Sequence, residues 1–172
     1  MFTDIDDTLT TEGAITPDAL QALADLRDAG LPVIAVTGRP VGWSVPFALA
    51  WPLRAIVAEN GAVALISGDI DQIGRQRFPD QRAQLSKIYQ QDAATRARNF
   101  EQLQRAAARV LREVPGSALA QDSPGRETDI AIDHSEFSRL DEAQIAQAVA
   151  VMQAEGLHAT VSSIHINGWI GT

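Results

Sequence analysis

Phe2-Thr3-Asp4-Ile5-Asp6-Asp7-Thr8-Leu9-Thr10 reads D-x-D-x-T-x-T behind a short apolar lead, and this stretch decides the fold. Met1 to Thr3 predicts the end of a buried strand, with Asp4 and Asp6 where the strand gives way to a loop. Two carboxylates so close repel unless a cation lies between them or one is protonated. Burying them is costly unless they hold a metal or do chemistry. Hard oxygen ligands of this kind suit Mg²⁺. One acid can attack phosphorus and form an acyl-phosphate, and the other can protonate the leaving oxygen and then activate water. Thr8 and Thr10 add hydroxyls and turn N–H groups. The bland alternative is an acidic turn that caps a helix, or a weak calcium loop; the strand lead-in and both threonines argue against it.

Working outward, Thr16-Pro17-Asp18 predicts a helix start, with Thr at the cap and Pro at the first helical position. Gly30 closes that helix. Pro32 to Val36 is a continuous apolar run, read as a strand buried on both faces. Thr37-Gly38-Arg39 follows at its C-terminal end, where the hydroxyl of Thr37 and the N–H of Gly38 suit a phosphoryl oxygen. Arg39 either reaches substrate or pairs with an acid on a neighbouring loop. Val41 to Ala50 predicts a short helix, Arg54 to Ala58 a third strand, and Asn60-Gly61 a hairpin turn. The alternation is that of a parallel α/β sheet.

After Ser67-Gly68 the pattern changes. A helix is expected between about Asp80 and Val114, then strands over Ser117 to Gln121 and Thr128 to Asp133. A second helix, Asp141 to Glu155, precedes strands over His158 to Ser163 and His165 to Ile170. This twice-repeated helix-strand-strand order predicts an antiparallel sheet covered by helices on one face. The domains expected are 1–67, an α/β core with a Rossmann-like parallel sheet, and 68–172, an α+β unit.

Composition narrows the function. The net charge of −8 argues against nucleic acid and against an anionic membrane surface. With no cysteine, thiolate metal sites and thiol chemistry are excluded. No apolar run is long enough to span a bilayer and no signal peptide is seen, so a cytoplasmic location is the default expectation.

The chain resembles the haloacid dehalogenase superfamily of phosphohydrolases. Asp4-x-Asp6-x-Thr8-x-Thr10 matches the first motif, Thr37-Gly38-Arg39 the second, and Glu59-Asn60-Gly61-Ala62 the segment after the third strand in members with a large cap inserted there. The resemblance implies an incomplete Rossmann-like core with an inserted αββ-type α+β cap, and an enzyme that hydrolyses phosphoric monoesters of sugars or similar small metabolites. It implies Asp4 as nucleophile and Mg²⁺ ligand. Asp6 becomes the acid/base, its backbone carbonyl on the metal, and Thr8, Thr37 and Gly38 hold the phosphoryl group.

The departures are informative too. The family's third-motif lysine and fourth-motif acidic pair lie after such a cap. Lys87, the one lysine, falls in the expected long helix, and Asp129 and Asp133 in a cap strand. The expectation is an N-terminal portion of a longer phosphatase, with weak metal binding and impaired turnover. For substrate contact the sequence offers Arg39, Asn60, Arg126, His165 and Asn167. The last two alternate with Ile164 and Ile166 and are expected on the open face of the cap sheet. Two rival readings stand beside the phosphatase: a sugar phosphomutase, which would give an isomerised ester instead of inorganic phosphate, and an inactive binding or regulatory module.

Overall fold

The apolar lead forms strand β1 (Phe2–Asp4) in the computed structural model, which describes residues 1–11, 13–68 and 85–171. A small antiparallel hairpin follows, β2 (Thr10–Thr11) against β3 (Ala14–Ile15), with Gly13 at φ +78° in its turn. The Thr16-Pro17 signal then starts α1 (Pro17–Asp28), and Gly30 at φ +74° turns the chain away from it. Next come β4 (Ile34–Val36), α2 (Val41–Ala50) and β5 (Ala55–Ala58). A single 3₁₀ turn, Glu59–Gly61, leads into β6 (Val63–Ser67), and β7 (Leu85–Tyr89) pairs with β6.

These strands make one sheet in the order β1-β4-β5-β6-β7. The first three are parallel and the last two antiparallel. The fold is therefore α/β, as expected, with an antiparallel extension. Parallel crossovers are right-handed; two that step in the same direction place α1 and α2 on the same face. Ala35, Ile56 and Leu65 point to that face and are wholly buried, in one core with Leu23, Val41 and Ala48. The other face carries Phe2 at 73% exposure, Val36 at 37% and Ile88 at 43%. The expectation of buried early strands is thus corrected: β4 is buried on one face, and β1 is exposed on one and half-buried on the other.

The second half holds α3 (Ala93–Glu113), β8 (Ala118–Leu119), β9 (Asp129–Asp133), α4 (Glu142–Ala154), β10 (His158–Val161) and β11 (His165–Trp169). Its sheet runs β10-β11-β9-β8 and is antiparallel throughout. Leu103, Val110, Met152, Ile132 and Ile166 are fully buried between helices and sheet. Asp92 caps α3 by accepting the Thr95 N–H at 2.9 Å, and Asp141 with Gln144 forms a reciprocal capping box on α4.

The helix expected from about Asp80 starts at Ala93 instead. Leu85–Tyr89 is a strand that takes Lys87 with it, so Lys87 is not helical; residues 69–84 lie outside the described residues. Two compact units result, Met1–Gln90 and Gln91–Thr172. Pairing of β7 with β6 carries the first unit past the boundary expected at residue 67.

Candidate active site

Three parallel strands, β1, β4 and β5, end side by side, and the loops leaving them carry the predicted residues. After β1 the chain wraps round one carbonyl. Ile5 O accepts the N–H groups of Thr8, Leu9 and Thr10 at 3.3, 3.0 and 3.1 Å, and the Thr10 hydroxyl at 3.0 Å. Thr10 is buried and spends its hydroxyl on this turn, so its role is structural. Asp7 takes φ +56° within the turn. Asp4 and Thr8 are left exposed.

After β4, Thr37 is buried at 4% exposure, and its N–H donates to Val57 O at 2.9 Å. Its hydroxyl oxygen accepts the Arg39 N–H at 3.0 Å, which leaves the hydroxyl proton to donate elsewhere. Gly38 is exposed, and a Cβ placed there would lie 3.0 Å from Asn60 Oδ1. A side chain at position 38 would thus press on the Asn60 amide.

After β5, Glu59 and Asn60 take φ +49° and +55°. Left-handed backbone at non-glycine residues costs about 1–3 kcal/mol each and persists where the surroundings enforce it. Here the enforcement is visible. The Glu59 N–H donates to Arg39 O at 3.1 Å, and Glu59 Oε1 accepts the Val41 N–H at 3.0 Å. Glu59, 1% exposed, therefore ties the loop at Arg39 and Val41 and satisfies an orphan N–H at the start of α2.

Of the two roles open to Arg39, the structure takes the acid partner. Arg39 Nε donates to both oxygens of Asp6 at 3.3 Å, and Nη2 donates to Oδ1 at 3.1 Å. Its guanidinium also lies 5.3 Å from the ring centroid of Trp43, which begins an aromatic ladder through Phe47 to Trp51.

The model of the haloacid dehalogenase-like hydrolases matches residues 1–102, more than half of the chain. The chain belongs to that family. Solved structures similar to this haloacid dehalogenase-like hydrolase include a protein from Thermoplasma acidophilum, at 14% identity and TM-score 0.64, over 98% of this chain and 63% of that one. A trehalose-6-phosphate phosphatase related protein matches at 15% identity and TM-score 0.62, over 98% and 66%. A protein from Bacteroides thetaiotaomicron, studied among phosphatases of the haloalkanoate superfamily, matches at 17% identity and TM-score 0.58, over 99% and 66%. At these identities the likeness is one of fold. This chain spans less than two thirds of the length of each. Comparison with curated proteins finds no match.

Of the second-unit residues expected to touch substrate in this haloacid dehalogenase-like hydrolase, Arg126 and His165 pair with acids of their own unit. Arg126 is 7% exposed; its Nη1 binds both oxygens of Asp129, at 2.8 and 2.9 Å, and Nη2 reaches Asp122 Oδ1 at 3.3 Å. It is the centre of a buried ion cluster. His165 and Asn167 lie on the sheet face opposite Ile166, as the alternation expects, yet they are 6% and 9% exposed. His165 Nε2 lies 3.1 Å from Glu136 Oε2. Asp133, set beside His165 in the sheet, accepts the N–H groups of Ser135, Glu136, Phe137 and Ser138. His134 and Ser135 bond to Ser162 O and Ser163 O. Sequence reasoning placed Glu59 in a motif but gave it no role, because a buried acid that receives a distant N–H leaves no local pattern.

For Mg²⁺, the first unit offers oxygen donors: the exposed Asp4 carboxylate and the Asp6 carbonyl, while the Asp6 carboxylate is held by Arg39. No group of three or more acidic or histidine side chains is placed to hold a metal among the described residues. One carboxylate with a carbonyl fits Mg²⁺, which takes one or two protein carboxylates plus waters and phosphate oxygens. Nor is any described helix long and apolar enough to cross a membrane.

Proposed function

We propose that this haloacid dehalogenase-like hydrolase is a Mg²⁺-dependent phosphomonoester hydrolase that acts on a sugar phosphate or similar small metabolite through an aspartyl-phosphate on Asp4. One observation carries the reading. The loops after β1, β4 and β5 are tied to one another through Arg39 and Glu59, so Asp4, Asp6, Thr37 and Gly38 stand at adjoining strand ends. Ligands of open α/β sheets bind at such ends.

In the first step a carboxylate oxygen of Asp4 attacks phosphorus, the bond from phosphorus to the substrate's oxygen breaks, and Asp6 gives its proton to the departing alcohol. In the second, water attacks the same phosphorus, Asp6 takes the water's proton, and Asp4 is released with inorganic phosphate. The free hydroxyl proton of Thr37 and the backbone at Gly38 suit the non-bridging oxygens. A bound Mg²⁺ on Asp4 and the Asp6 carbonyl supplies charge neutralisation at the phosphoryl group.

The reading includes that the chain is part of a longer phosphatase. Two things support this: the greater length of the matched solved chains and the exposed apolar face of the five-stranded sheet. Lys87, which sits mid-strand in β7, is not proposed as the motif lysine.

The test is phosphate release from p-nitrophenyl phosphate by the complete protein with Mg²⁺. Asp4→Asn is expected to abolish release, Asp6→Asn to cut it by about 10²–10⁴-fold, and chelation to remove it reversibly. Wild-type rates in the Asp4 variant would overturn the proposal. An isomerised sugar phosphate in place of inorganic phosphate would convert it to a mutase.

A further inference from the structure

We infer that Arg39 is a positioning residue that anchors one oxygen of Asp6 and leaves the other, Oδ2, as the oxygen that exchanges a proton with substrate and water. This rests on the function proposed above and deepens it.

The grip is uneven. Among the described residues, Asp6 Oδ1 accepts two donors, Nε at 3.3 Å and Nη2 at 3.1 Å, whereas Oδ2 accepts Nε alone, at 3.3 Å. A carboxylate oxygen has two lone-pair sites. Oδ1 is therefore filled and Oδ2 keeps one site. The fork also fixes the plane of the carboxyl, which a point charge would not do.

Arg39 is itself held on three sides. Its N–H is bound by Thr37 Oγ1 and its carbonyl by the Glu59 N–H, while its guanidinium lies against Trp43. Stability does not account for this arrangement. The side chains of Arg39 and Asp6 are 29% and 40% exposed, and pairs so exposed are worth about 0–1 kcal/mol. Orientation is the larger consequence, because displacing a reacting group by about 1 Å costs about 10²-fold in rate.

A residue acting through the acid step has a signature that depends on the leaving group. An alkyl alkoxide needs the proton; nitrophenolate leaves without it. In the complete protein, Arg39→Gln is expected to lower kcat/KM for an alkyl phosphate about 10²-fold more than kcat/KM for p-nitrophenyl phosphate. Arg39→Lys, which keeps the charge and loses the fork, is expected to behave the same way. Equal losses on both esters, with KM raised on both, would make Arg39 a phosphate ligand and overturn the inference. So would full recovery by Arg39→Lys.

The second arm needs no turnover. In the 172-residue chain, the Arg39 Nε–H should give a slowly exchanging nitrogen–proton resonance that Asp6→Asn removes. Its persistence in Asp6→Asn would overturn the inference. If the wild-type protein released phosphate from no ester, the proposed function would fall, and the resonance would still decide whether Asp6 is held.

Discussion

Gly38 and Asn60 come from different loops yet share one space, so a single methyl is a sharp probe. The Cβ of Gly38→Ala would sit 3.0 Å from Asn60 Oδ1, so the Asn60 side chain would have to give way by a few tenths of an ångström. Trimming the partner should relieve it: Gly38→Ala with Asn60→Ala is expected to lose less than the sum of the two single losses, measured by urea unfolding. Additive losses would mean that the loops do not press on each other. Much of the site is legible residue by residue. Asp4 and Asp6 stand out because paired acids at a strand end have few bland explanations, whereas Thr37 and Gly38 alone read as an ordinary strand-to-helix turn and gain weight only beside the first motif. Arg39 leaves two roles open, and only geometry chooses Asp6. Glu59 is illegible, since its value lies in an N–H 18 residues away in sequence.

At the scale of the element, two acids of β9 show how burial decides worth. Asp129 and Arg126 have side chains 0% and 3% exposed. Arg126→Met removes the cation paired with a buried carboxylate and is expected to cost several-fold more stability than Arg39→Met in the exposed pair, which should cost less than about 1 kcal/mol. Similar losses in the two variants would contradict that burial argument. Asp133 governs the loop after β9. Burial raises its carboxyl, but the N–H groups of Ser138, Glu136 and Phe137 outweigh that and hold it below the ordinary range. A carboxyl lowered by folding adds stability above its unfolded value and loses it as pH falls through its folded value. Wild type is thus expected to exceed Asp133→Asn by about 2 kcal/mol at neutral pH, the gap narrowing below about pH 4. A gap independent of pH would contradict the assignment.

The helices and most strands are legible from caps and periodicity: Thr16-Pro17 and Asp141 mark true starts, and Ile166 a true core position. β7 is not legible. Leu85-Ser86-Lys87-Ile88-Tyr89 carries a charge and a hydroxyl within five residues, and its strand state depends on pairing with β6. The hairpin of β2 and β3 is too short to show a period.

On the scale of the whole molecule, the sheet face bearing Phe2, Val36 and Ile88 sets the chain apart from a protein buried on both sides. In this chain Phe2→Ala should change stability by no more than about 0.5 kcal/mol. In a longer protein that covers the face it should cost about 3–5 kcal/mol. Equal small effects in both would remove the sheet face as support for a longer protein. The intermediate proposed on Asp4 is covalent, and rapid quench in acid can trap it. The complete protein, mixed with excess substrate and Mg²⁺ and digested for mass spectrometry, is expected to carry a phosphoryl group on Asp4, absent in Asp4→Asn. Turnover with that residue unmodified at every quench time, or with the phosphoryl group on another side chain, would contradict it.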